Sequence, residues 1–184
     1  MKSTLDGDPL RDADLRAQCV VLLFGGHETT RRLVGNETYS LLSQHGALED
    51  LQPNLTLLPN MLEAVLRYEC PIQSIPRGVI EDMEFDGQTV AGGSSFVLMI
   101  GAGQRRSKQY ADPDHFDISR KHIRHPGFEG DVHVCLGATL AVREGGLAVR
   151  MAPLPTVGER GEEIQRPTGL SRHWRQALRR SIAD

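Results

Sequence analysis

The chain has 184 residues, of which 39% are hydrophobic and 24% charged, with a formal net charge of −3. That length supports one domain with a real core rather than two, and the slight acid excess argues against a nucleic-acid-binding surface. Its three cysteines, at positions 19, 70 and 135, are odd in number and far apart, which suggests neither a disulfide framework nor a zinc site and fits a reducing, cytoplasmic setting. No apolar run reaches the roughly 18 to 20 residues a membrane span needs, and no signal-peptide pattern opens the chain.

Residues 1–11 are polar and contain Gly and Pro, and Asp12 is placed to cap a helix. Leu15, Cys19, Leu22, Gly26 and Leu33 then recur at helical spacings, predicting a long helix over 12–44 with one apolar or small face. At 1.5 Å per residue such a helix is roughly 50 Å long. Its middle reads Phe24-Gly25-Gly26-His27-Glu28-Thr29-Thr30. Each glycine costs a helix about 1 kcal/mol relative to alanine, and the Thr29 hydroxyl can bond the Gly25 carbonyl, so a small polar-lined bend is expected. Close helix packing on the glycines, with Glu28 simply solvated, is the plainer reading of these residues taken alone.

A second helical pattern runs from about Leu57 to Tyr68 and stops before Cys70-Pro71. In it Glu63 and Arg67 stand four apart, the favourable orientation for a helix ion pair. The stretches Ile75–Ile80, Met83–Val90 and Ser95–Ile100 are β-prone, and Asp86-Gly87 is a two-residue hairpin signal, so a small antiparallel sheet is expected. Residues 101–127 read as irregular but packed, anchored by Tyr110, Phe116 and Ile118. Cys135 follows a Gly-containing loop and precedes a helix over about 137–150, a position where backbone N–H groups and the helix N-terminus favour a thiolate. A buried apolar thiol is the plainer reading of an isolated cysteine. Residues 153–184 form a tail of shifted composition, in which Trp174 and the basic run Arg172 to Arg180 suggest a peripheral helix or a partner-facing patch, with a solvated face the plainer reading.

Three motifs, in order, carry a resemblance to the cytochrome P450 family: Gly25-Gly26-His27-Glu28-Thr29-Thr30, Glu63-Ala64-Val65-Leu66-Arg67-Tyr68, and Phe128-Glu129-Gly130-Asp131-Val132-His133-Val134-Cys135-Leu136-Gly137. The resemblance implies a mainly α fold with small antiparallel β-sheets, corresponding to the C-terminal half of that fold, over residues 1–152. It implies Cys135 as the iron ligand of haem b, in a loop where Phe128 and Gly137 also fit the pattern. By the same match Arg77 and His133 hold the haem propionates, for which charge-assisted donors are suited. Glu28 and Thr29 are the acid and alcohol of proton delivery, since protons must reach the reacting oxygen without water flooding the site.

The chain also departs from the family pattern. Ala64 stands where a glutamate pairs with Arg67, so either Glu63 reaches Arg67 from the adjacent face or that network is broken, with Arg120 or Arg124 as its other member. Glu129 and Asp131 stand where glycines are usual, and Gln104 and Arg106 where Asn and Asp are common. The function implied is a haem-thiolate monooxygenase, or the C-terminal fragment of one, inserting one oxygen atom from O2 into an apolar small molecule. Electrons would come from a ferredoxin or flavodoxin and ultimately NAD(P)H. The departures also admit a truncated, non-catalytic remnant or binding module.

Overall fold

The computed structural model describes residues 4–5, 8–44, 46–121 and 123–152. The tail expected over 153–184 lies outside the described residues. Two-residue strands β1 (Thr4–Leu5) and β2 (Asp8–Pro9) pair antiparallel ahead of the long helix α1, Asp12–Ser43. Arg11, not Asp12, is the N-cap of α1, with extended backbone, and its side chain pairs with Asp14 at 2.8 Å. Asp12 instead sits in the first turn with Asp14, where carboxylates complement the exposed N–H groups of the helix end.

Helix α1 is buried only toward its C-terminal end. Leu33, Asn36, Glu37, Tyr39, Ser40 and Leu41 are covered, while Leu15, Cys19 and Leu22 of the expected apolar face are exposed. The helical spacing was read correctly, but among the described residues nothing packs on the first turns of α1. The helix runs unbroken through Gly25-Gly26.

A short helix α2 (Ala47–Leu51) and a 3₁₀ turn at Leu55–Leu57 lead into α3, Leu58–Tyr68. Leu58, Met61, Leu62, Val65 and Leu66 are buried, a spacing of three and four that places one continuous apolar stripe on α3. That stripe packs with Leu33 and Leu41 of α1, Leu51 of α2, and Phe116 and Ile118 of the later loop. Val149 joins the same core from α5, Ala138–Met151, so α1, α3 and α5 pack together around it.

The β-prone region forms two sheets rather than one. Strands β3 (Ile75–Gly78) and β6 (Ser95–Leu98) pair antiparallel with Arg77 opposite Phe96, and β4 (Met83–Phe85) pairs with β5 (Gln88–Val90). The hairpin between β4 and β5 turns on Asp86 at φ 50° and Gly87 at φ 74°, the two positive values a type I′ turn requires. Phe85 and Phe96, with ring centroids 4.9 Å apart, join the two sheets. A four-residue helix α4 (Ile100–Gly103) then opens the long irregular segment.

Candidate functional site around the Cys135 loop

The loop before α5 is built from two 3₁₀ turns, Pro126–Phe128 and Asp131–His133. It folds back on itself through one backbone bond, in which the Cys135 N–H donates to the Phe128 carbonyl at 3.0 Å. Phe128 packs its ring against the core, fixing the near end of the loop. Gly137 is the N-cap of α5, and a Cβ added there would lie 3.9 Å from the Cys135 Sγ, so the sulfur lies close to the helix N-terminus. Cys135 is exposed, and so are its apolar neighbours Val134, Leu136 and Leu140, at 56%, 95% and 60%. The Cys135 thiol is therefore exposed rather than buried, and the apolar residues flanking it in the chain are exposed with it.

The two places where glycine is replaced carry visible backbone cost. Glu129 adopts φ 57° with ψ −152°, and Asp131 adopts φ 54°, conformations that glycine enters freely and side-chain-bearing residues do not. Gly130, between them, is extended at φ −168° and takes over neither position. The Glu129 carboxylate accepts from the Arg77 Nη2 at 2.7 Å across this loop. Arg77, expected from the sequence to meet a propionate, thus already holds a carboxylate of the chain itself. His133 ends the second 3₁₀ turn and is exposed.

On α1 the Thr29 hydroxyl donates to the Gly25 carbonyl at 2.5 Å, the bond its position in the helix predicts. Glu28 is half-buried and clamped: Arg32 Nε donates to Oε1 at 2.9 Å and Arg31 Nη2 to Oε2 at 3.0 Å. Burial pulls this carboxyl up, and the bonds and charges of Arg32 and Arg31 together outweigh it, holding Glu28 below its usual range. His27, beside it in sequence, is exposed.

The expected pairing of Glu63 with Arg67 is not formed. Glu63 Oε2 lies 2.9 Å from the Nε2 of His125, which is itself 4% exposed, while Arg67 donates to carbonyls only, those of Gln104, Pro113 and His115. Glu63 and Arg67 stand on the same side of α3, yet each has another partner: His125 takes the Glu63 carboxylate, and three backbone carbonyls of the 104–115 segment take the Arg67 guanidinium. Of the two arginines considered for that network, Arg120 is the one whose charge reaches Arg67, and it does so as a second cation.

His125 is the residue sequence reasoning missed. Its Nδ1 accepts from the Gly127 N–H at 3.0 Å, which leaves the proton on Nε2 to be donated to Glu63. One imidazole thus ties α3 to the start of the cysteine loop. The sequence signal for it was the run His125-Pro126-Gly127, a polar side chain immediately before a turn.

These residues suit a haem in two respects, the exposed thiol and the exposed apolar residues flanking it in the chain. They depart from it in the ion pair that occupies Arg77.

The family model described as Cytochrome P450 matches residues 31–149. PikC, a cytochrome P450 monooxygenase of Streptomyces venezuelae, is 36% identical over 79% of this chain and 35% of its own length. A biotin biosynthesis cytochrome P450 of Bacillus subtilis is 36% identical over 77% of this chain and 36% of its own. Among solved structures, CYP109E1 from Bacillus megaterium in complex with corticosterone superposes with a TM-score of 0.74 at 34% identity, covering 80% of this chain and 40% of that one. The chain spans about a third of the length of the curated relatives it matches. With three motifs in order, a shared fold and a family model covering most of its described residues, the chain belongs to the cytochrome P450 family.

Proposed function

We propose that the chain is the cysteine-ligand portion of a haem-thiolate monooxygenase that acts in the reducing cytoplasm and adds one oxygen atom from O2 to an apolar organic substrate. The observation that carries this reading is Cys135, exposed beside the N-terminus of α5 together with its apolar chain neighbours. A bound haem b would supply oxygen activation, and Cys135 is the residue that would hold its iron, as a thiolate. Around it, Phe128 and Gly137 shape the loop, and His133 and Arg77 are the propionate donors, Arg77 once released from Glu129. Thr29, bonded to Gly25, and Glu28, held by Arg31 and Arg32, handle protons from α1. Glu28 can pass a proton only when one arginine lets go. Electrons come from a ferredoxin or flavodoxin supplied by NAD(P)H.

The test is haemin titration of the full chain followed by the reduced, carbon-monoxide-bound difference spectrum. A thiolate-type band that disappears in Cys135→Ala is expected, and its absence from the unaltered chain sinks the reading for this chain alone. The second reading, a non-catalytic remnant, is favoured by the Arg77–Glu129 pair and the two positive-φ residues. Glu129→Gly separates the two, because it relieves the backbone and frees Arg77. Tighter haemin binding in that variant supports the monooxygenase reading, and unchanged absence of binding supports the remnant.

A further inference from the structure

Arg67 and Arg120 are two cations that grip one short segment, residues 111–115, through its carbonyls, and among the described residues no carboxylate forms an ion pair with either. Arg67 is 1% exposed, and its terminal nitrogens donate to the carbonyls of Gln104, Pro113 and His115. Arg120 donates to the carbonyls of Ala111 and Asp112. In both residues the Nε–H is buried and has no hydrogen-bond partner among the described residues. Carbonyl dipoles satisfy donors, but they do not cancel a full charge, and a guanidinium cannot shed its proton to escape. Burial, and after it the neighbouring charges of Arg120 and Arg105, push the Arg67 guanidinium down from its ordinary value.

Of the charged groups around them, Arg105, Asp117 and Glu63 have partners of their own. Arg105 pairs with Asp114 at 2.9 Å and stacks 3.7 Å over the Tyr68 ring. Asp117 feels the Arg120 charge, but its Oδ1 accepts from the backbone and hydroxyl of Ser119. Glu63 is held by His125. A helical side chain leans toward the N-terminus of its helix, so the inner part of Arg67 lies over the turn that contains Ala64, one helical turn back on the same face. Ala64 is 1% exposed and offers only a methyl group.

From these observations we infer that the ground between Ala64, Arg67 and Arg120 is an internal site for one small monovalent anion, a carboxylate of formate's size or a halide, which accepts the orphaned Nε–H donors and supplies the missing negative charge. The site is independent of haem and of the activity proposed above.

The experiment is thermal unfolding of the full chain across a formate series, and separately a chloride series, beside the same series on Ala64→Glu. General salt effects act on both proteins, whereas the site acts only where the alanine leaves it open. The expected result is a saturating rise in Tm of several degrees for the unaltered chain, and no saturating component in Ala64→Glu. Whichever of the two anions saturates at lower concentration identifies the better fit. Should Ala64→Glu fail to fold, carbon-13 formate linewidths report directly: broadening by the unaltered chain that is lost in Arg120→Gln supports the site. A flat response in the unaltered chain, equal responses in both proteins, or linewidths indifferent to Arg120→Gln overturn the inference and leave water as the partner of those donors.

Discussion

At the scale of single residues, the most consequential side chain outside the cysteine loop is Glu37. It is 0% exposed on α1, neither carboxylate oxygen has a hydrogen-bond partner, and burial pushes its carboxyl up to about 8. A carboxyl with a raised value in the folded state binds its proton more tightly there than in the unfolded chain, where it titrates near 4.5. Its neutral form therefore leaves stability intact below that lower value. Stability then falls with rising pH between 4.5 and about 8, and levels off above. The slope is at most about 1.4 kcal/mol per pH unit. Urea unfolding at a series of pH values should show this decline in the unaltered chain and a shallower one in Glu37→Gln. Identical profiles would mean that Glu37 is ionised, with a counter-charge, in the folded state. Glu37 was not legible in advance, because a glutamate within a helix reads as solvated unless the neighbour that covers it is known. The same blindness hid the capture of Arg77 by Glu129, 52 residues away in the chain.

At the scale of elements, the contact between α1 and α5 depends on one missing side chain. A Cβ on Gly145 would stand 2.2 Å from the Glu37 Oε1, so the glycine is there to admit the buried acid. Gly145→Ala gains roughly 1 kcal/mol of helix propensity but overpacks a filled space, which typically costs about 1–3 kcal/mol. Net destabilisation is expected in the natural background, and net stabilisation once Glu37→Ala has removed the obstacle. A denaturation double-mutant cycle measures the coupling, and additive effects would show that the carboxylate simply swings aside. The helices themselves were legible: 12–44 was expected against Asp12–Ser43, and about 57–68 against Leu58–Tyr68. Periodicity also marked the stripe on α3 and the Asp86-Gly87 hairpin, since both are local. It could not say which stretch of α1 would be covered, because that depends on what packs there, nor that the strands would divide into two sheets.

At the scale of the whole molecule, the described surface carries a broad apolar area. Val20, Val21, Leu22, Leu23 and Phe24 are 62–74% exposed, as consecutive residues that pass around α1. Leu136 at 95% and Val132 at 85% add to it from the cysteine loop. Exposed apolar surface on this scale drives association. Sedimentation velocity should therefore show the isolated chain self-associating, with the effect reduced by Val21→Lys and Leu23→Glu together. A monomer at every concentration would contradict this.

The uneven burial of α1 also has a consequence in time. Its last turns share the core with α3 and α5, whereas among the described residues its first turns contribute nothing to that core, and helix formation without tertiary packing is marginal. Amide hydrogens along this one continuous helix should thus exchange on a gradient: slowest near Leu33 to Leu41, where only global opening releases them, and progressively faster toward Asp12 as fraying suffices. Mass-resolved exchange would locate the crossover, and a uniform rate along α1 would mean that the exposed turns gain their order from contacts beyond the helix itself.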